Sequence, residues 1–175
     1  LQAAFTALES CRKPVLAAIH GRCIGGGLDL IAACDMRYAT ADAAFSLKEV
    51  DLAIVADVGS LQRLPYLIGE GYVRELAFTA RPFDAAEAQA MGLVNRVFAD
   101  VAQLRDGVQA IAASIAAKSP LTVRGIKQVL NYGRDHSVTD GLEYVATWNA
   151  ALLLSDDTRE AIAATMQKRT PQFGD

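Results

Sequence analysis

The sequence holds three cysteines, Cys11, Cys23 and Cys34. Their odd number, apolar surroundings and lack of any Cys-x-x-Cys spacing argue against a disulfide framework and a zinc site alike. The two histidines add no metal-ligand pattern, so no metal is expected. A reducing compartment follows as the simple expectation. No apolar run reaches the roughly 18 residues of a membrane span before a charge or turn interrupts it. An excess of positive charge is missing too: a net charge of −3 and a pI of about 5.4 give no reason to expect nucleic acid or an anionic membrane as partner. Internal repeats, low-complexity tracts and linkers are lacking, which predicts one domain. The G-x-G-x-x-G pattern with a ribose-binding acid at the right distance is lacking as well, which counts against dinucleotide binding. There is no initiator methionine and no signal peptide before Leu1, and Leu1, Phe5 and Leu8 open inside an amphipathic helical pattern. A fragment of a longer, non-secreted protein is the expectation.

What is present is ample material for a core, with 52% hydrophobic residues in 175. Pro14 to Ile19 reads as a short apolar strand, followed by strands at Asp35 to Ala39, Ala44 to Leu47 and Leu93 to Phe98. Between and after them the pattern turns helical. A helix from Ser60 is stopped near Leu64 by Pro65, and another covers Gly71 to Thr79. Asp84 and Glu87 have capping-box spacing and start a helix that ends at Gly92. From Val101 onward only helices are predicted: Val101 to Ala117, Pro120 to Tyr132 with Ser119 as cap, Val138 to Leu154, and Asp157 to Lys168. Short strands separated by helices predict an α/β layered fold, with residues 1–100 as its core and 101–175 as a helical cover. Tyr144, Trp148 and Leu152, at helical spacing, read as core or subunit-contact residues. Asp35 and Arg37 share a strand face and read as structural ion-pairing groups, and His20 as a strand-end hydrogen-bonding residue.

The chemistry concentrates between Ile19 and Gly59. Gly25, Gly26 and Gly27 sit between an apolar strand and a run, Leu28 to Cys34, that lacks any helix breaker. Such a turn leaves N–H groups unpaired at the positive end of a helix, where an anion or a developing oxyanion accepts them. Phosphate binding, an oxyanion hole and close packing of helix on strand all fit the triplet alone. Three carboxylates sharpen the reading: Asp29 in the first turn of the helix, Glu49 after a strand-like run, and Asp57 among Leu52, Ile54, Val55 and Val58. Embedding in apolar surroundings is expected to raise a carboxyl pKa into the range useful for moving protons. For Asp29 alone, stabilisation by the helix dipole is an equal alternative.

The segments KPVLAAIHGRCIGGGLDLIAACDMRYAT, FSLKEVDLAIVADVGSLQRLPYLIG and ELAFTARPFDAAEAQAMGLVNRVF, and less tightly Gly133 to Val138 and Leu142 to Asn149, resemble the enoyl-CoA hydratase/isomerase (crotonase) family, and within it the Δ3,5-Δ2,4-dienoyl-CoA isomerases. The resemblance implies a crotonase-like layered ββα spiral with a C-terminal helical region, and an N-terminal part, carrying the first oxyanion donor and much of the CoA surface, that lies outside this chain. It implies an acyl-CoA thioester substrate with no separate cofactor, and assembly into a homotrimer or homohexamer. It also implies a cytoplasmic location in a bacterium, or a mitochondrial or peroxisomal one in a eukaryote, although the ending Phe173-Gly174-Asp175 is not a peroxisomal signal. By the same resemblance the N–H of Gly26, in the Gly25-Gly26 turn, holds the thioester oxygen. Acids at Asp29 and Glu49 match the usual catalytic positions, and an acid at Asp57 marks the dienoyl isomerase branch.

Moving two double bonds along a thioester requires a proton to leave C2 and another to arrive at C6, and one carboxylate cannot easily reach both carbons. Glu49 and Asp57 are therefore the expected acid–base pair, in an unassigned order, with Asp29 polarising the site or tuning its neighbours. The rival readings are an enoyl-CoA hydratase, with Asp29 and Glu49 holding a water, and a catalytically silent assembly subunit of the same family. Gln62 and Arg63 match a family motif without an acid–base role.

Overall fold

The computed structural model describes residues Leu1–Gly174, and the chain divides into two compact units. The first comprises Leu1–Cys11 and Val15–Ala110, the second Arg12–Pro14 and the residues from Ile111 onward.

The first unit opens with helix α1 (Gln2–Glu9) and strand β1 (Leu16–Ile19). A tight turn at Gly21, whose φ is 65°, leads into β2 (Arg22–Ile24), then α2 (Gly26–Ala32), β3 (Met36–Thr40) and β4 (Ala44–Ser46). After a 3-10 turn at Glu49–Leu52 come α3 (Ser60–Arg63), a second 3-10 turn at Leu64–Tyr66, α4 (Glu70–Thr79), β5 (Phe83–Asp84), α5 (Ala85–Ala90) and β6 (Arg96–Phe98). Two three-stranded sheets result. One is parallel in the order β1-β3-β6; the other has the order β2-β4-β5, with β2 and β4 parallel and β4 and β5 antiparallel. Strands β2 and β5 are absent from the sequence expectation, because three and two residues are too short to display a two-residue period.

The core of this unit lies among Leu28, Phe45, Leu47, Leu64, Leu76 and Leu93, all at 2% exposure or less. Each such leucine contributes roughly 1.5–3 kcal/mol through burial. Phe45 stacks on Phe83 across the β4–β5 pair with centroids 5.3 Å apart. Arg37 is buried. Its guanidinium donates to the carbonyls of Leu93 (2.7 Å), Cys34 (2.8 Å) and Ile31 (3.3 Å), so it satisfies the C-terminal end of α2 from the neighbouring strand. Asp35 accepts from the Val15 N–H at 2.6 Å and ties β1 to the start of β3. Asp84 caps α5 as predicted by accepting from the Glu87 N–H at 2.8 Å, while the Glu87 side chain pairs with Arg81. Helix α6 (Val101–Ala116) begins in this unit, where Leu104 is buried. A Cβ on Gly107 would stand 2.3 Å from the Phe98 ring.

In the second unit, α7 (Pro120–Tyr132), α8 (Val138–Leu152) and α9 (Asp156–Met166) follow α6, close to the predicted limits. Serines cap all three: Ser119 ahead of Pro120, Ser137 in a full capping box with Asp140, and Ser155 ahead of Thr158. An aromatic ladder joins α7 to α8. His136 stacks on Tyr132 at 3.6 Å and Tyr132 on Tyr144 at 4.1 Å, and Tyr144 meets Trp148 edge-on at 6.5 Å. Tyr132, Tyr144 and Trp148 are only half-buried, as is Leu152, and His136, Leu130, Leu142 and Met166 are exposed.

Past α9, Glu160 accepts from the Arg169 guanidinium (Nη2 to Oε2, 2.8 Å) and from the Gln172 N–H (2.7 Å). The Arg169 hydrogen bond, then that of Gln172, lowers the Glu160 pKa to about 2 from an ordinary 4.5. A carboxylate depressed on folding stabilises the native state above its unfolded pKa, and the gain disappears as pH falls through the folded value. Glu160→Gln is therefore expected to lower the melting temperature at pH 7 slightly, by roughly one or two degrees because the pair faces solvent. The difference from wild type should close between pH 4.5 and about 2, which thermal melts across that range check.

Candidate active site

Parallel pairing of β2 with β4 sets Arg22 opposite Ala44, Cys23 opposite Phe45 and Ile24 opposite Ser46. The ladder extends one residue further, where the Gly25 N–H donates to the Ser46 carbonyl at 2.9 Å. Gly25 then turns with φ 53° and ψ −118°, a conformation that favours glycine, and its carbonyl receives the N–H groups of Leu28 (2.7 Å) and Asp29 (3.1 Å). Gly26 is the first residue of α2, so its N–H has no acceptor within the helix.

The same register brings Glu49 to this turn. Leu47 and Lys48 carry the chain from β4 to a 3-10 turn that Glu49 begins. A Cβ on Gly25 would lie 3.1 Å from Glu49 Oε1, so the carboxylate occupies the space that the glycine leaves open. Glu49 Oε2 is buried and, among the described residues, has no hydrogen-bond partner. A buried oxygen left unsatisfied costs on the order of 1–3 kcal/mol, a cost that a donor group of a bound ligand would offset.

Asp29 makes a different set of contacts. At 1% exposure it accepts at Oδ1 from both the Ser60 N–H (2.7 Å) and the Ser60 hydroxyl. These bonds fasten the first turn of α2 to the first turn of α3, which explains an acid in this position without chemistry. Ser60 gave no signal in the sequence beyond starting a helix.

Asp57 corrects the expectation of burial among apolar neighbours. It is exposed, as are Leu52 (70%), Ile54 (55%) and Val55 (73%), because residues 53–57 run as a loop after a left-handed turn at Ala53 and not as a strand against the core. Its carbonyl, not its carboxylate, is held: Gln2 Nε2 donates to it at 2.6 Å. Arg63 stands close by in the chain. It donates to the Val58 carbonyl at 3.2 Å and to Thr6 Oγ1 at 3.1 Å, and pairs with Glu9 at 3.0 Å.

Cys23, the buried thiol beside Gly27, is pushed up to about 12, first by burial and then by the neighbouring Cys34, so it remains a neutral thiol at physiological pH. The turn offers an N–H without a helical acceptor next to a half-buried carboxylate, which suits proton transfer at a carbon beside a polarised carbonyl.

A family model for enoyl-CoA hydratase/isomerase matches residues 1–175. The chain belongs to the enoyl-CoA hydratase/isomerase family. It is 60% identical, over 99% of its length, to the peroxisomal Delta(3,5)-Delta(2,4)-dienoyl-CoA isomerase of Arabidopsis thaliana, and 53% identical, over 96% of its length, to the mitochondrial enzyme of that name from Mus musculus. It spans 62% of the first relative and 52% of the second, hence little more than half of their length. A crystal structure of an enoyl-CoA hydratase from Bacillus anthracis superposes with a TM-score of 0.95 at 36% identity, covering 98% of this chain and 66% of that one. The fold is thus crotonase-like, as the sequence motifs imply.

Removing one of the two donors to a buried carboxylate tests the α2–α3 fastening. Ser60→Ala is expected to cost about 1.5–3 kcal/mol, read as a lower midpoint of urea unfolding.

Proposed function

We propose that the protein carrying this chain is a Δ3,5-Δ2,4-dienoyl-CoA isomerase. The observation that carries the reading is the buried, unpartnered Glu49 oxygen beside the Gly25-Gly26 turn. A second carboxylate, Asp57, follows on an exposed loop eight positions later in the chain, and relatives of that name share 45–60% of this sequence.

One of Glu49 and Asp57 takes a proton from C2 of the 3,5-dienoyl thioester, and the other delivers one to C6. The electron pair released at C2 spreads through the diene onto the thioester oxygen, and protonation at C6 completes the shift without net change in composition. The Gly26 N–H stabilises the oxygen while it carries charge; a donor of this kind is typically worth about 10²- to 10³-fold. Asp29 acts on this site only by fixing the frame of α2. The CoA moiety belongs to the substrate, and no further cofactor enters. The place of the reaction is the degradation of unsaturated fatty acyl chains, in a mitochondrion, a peroxisome or a bacterial cytoplasm; the relatives named above are peroxisomal and mitochondrial. Among the described residues no helix is long and apolar enough to cross a membrane. Exposed apolar side chains on α7 and α8, Ile126, Leu130 and Leu142 among them, support assembly as a trimer or a pair of trimers.

Hydration is the second reading, favoured by relatives such as a probable enoyl-CoA hydratase of Bacillus subtilis at 37% identity. The full-length protein, given a 3,5-dienoyl-CoA and followed by the ultraviolet absorbance of the 2,4-dienoyl product, separates the two. Isomerisation should fall about 10²- to 10⁴-fold in Glu49→Gln and in Asp57→Asn. Failure of the wild type to isomerise, with hydration of a 2-enoyl-CoA that Asp57→Asn leaves intact, establishes the hydratase instead.

A further inference from the structure

We propose that Arg63 is the positioning residue for Asp57, an inference that rests on Asp57 belonging to the proton-transfer pair. The Asp57 side chain is exposed, and among the described residues no hydrogen bond reaches its carboxylate, so the main chain alone decides where that group stands. Residues 57–59 have no strand or helix ladder of their own. Their carbonyls are held one by one: that of Asp57 by Gln2 Nε2, that of Val58 by Arg63 Nη1, and that of Gly59 by the Arg63 N–H at 3.0 Å. The Gly59 bond is the opening backbone bond of α3 and does not depend on the side chain at 63, so the guanidinium's own hold on the loop is the bond to the Val58 carbonyl.

The rest of the geometry seats the guanidinium beside Gly59. Gly59 has φ 125°, and a Cβ there would lie 1.8 Å from Arg63 Nη1, so the arginine runs through the volume that the missing side chain vacates. The far edge of the guanidinium is fixed to α1 by Glu9 and Thr6. With its side chain 13% exposed and its donors directed at protein oxygens, Arg63 is spent on the loop and not offered to the phosphates of a CoA ligand. A lysine cannot reproduce the arrangement, because one ammonium does not bridge a carbonyl, a hydroxyl and a carboxylate with a planar fork. Misplacing a reacting group by about 1 Å costs up to 10²-fold in rate. Loss of Arg63 therefore acts on turnover and leaves binding of the thioester alone.

The test uses the full-length protein and a 3,5-dienoyl-CoA, with Arg63→Met and Arg63→Lys made in the wild-type and in the Asp57→Asn backgrounds. Arg63→Met should lower kcat by about 10- to 100-fold with KM changed less than about twofold, and Arg63→Lys should recover only part of it. In the Asp57→Asn background the same substitution should change the residual kcat by less than about twofold, because there is no longer a carboxylate to misplace. Should Arg63→Met fail to fold, Glu9→Gln replaces it: the guanidinium stays, its orienting charge goes, and kcat should fall about 3- to 10-fold with the same lack of additivity. Full multiplication of the two effects, or an unchanged kcat in Arg63→Met while Asp57→Asn is inactive, overturns the positioning role and leaves the reading of Asp57 standing. Wild-type isomerisation by Asp57→Asn overturns that reading, and this inference with it.

Discussion

Strands β2 and β4 lie parallel, and the hydrogen bond that prolongs their pairing, from the Gly25 N–H to the Ser46 carbonyl, locks two distant stretches of chain into one frame. Because that bond fixes Gly25, the turn into α2 has a single geometry, and because it fixes Ser46, the chain leaves β4 so that Glu49 reaches the glycine. The absence of a Cβ at Gly25 is then a demand of the carboxylate as much as of the backbone angles. A side chain at this position meets both obstacles at once.

Around that frame the three acids occupy distinct environments. Asp29 is buried and satisfied by Ser60, Glu49 is half-buried with one oxygen unsatisfied, and Asp57 is exposed on a loop. The buried Asp29 carboxylate holds structure, since its hydrogen bonds to Ser60 join α2 to α3. The Glu49 oxygen without a partner is open to a hydrogen bond from a ligand, which would offset the cost of its burial. Placement of each acid, more than its identity, sets what it can touch.

Much of this was legible in the residues. The caps Ser119, ahead of Pro120, and Asp84 announce their helices because capping is local, each side chain accepting from an N–H three positions on, at Thr122 and at Glu87. The glycine turn was equally plain, since glycines before a breaker-free run supply the left-handed angles that a tight turn into a helix needs. What was hidden depends on partners far along the chain: the buried Arg37, whose acceptors include Leu93; Ser60, thirty-one positions from Asp29; and the loop at Asp57, whose apolar letters suggested a core it does not join. Hydrophobic composition says that a segment is able to be buried, not that anything in the chain lies over it.

Helix α6 carries a different kind of constraint at Gly107. Glycine inside a helix costs roughly 1 kcal/mol relative to alanine, yet here the Phe98 ring fills the place where a methyl group would go. Positions 98 and 107 are therefore sterically coupled: an alanine at 107 requires the Phe98 ring to move or to be replaced by a smaller side chain, so the helix gives up propensity at 107 in exchange for the aromatic contact.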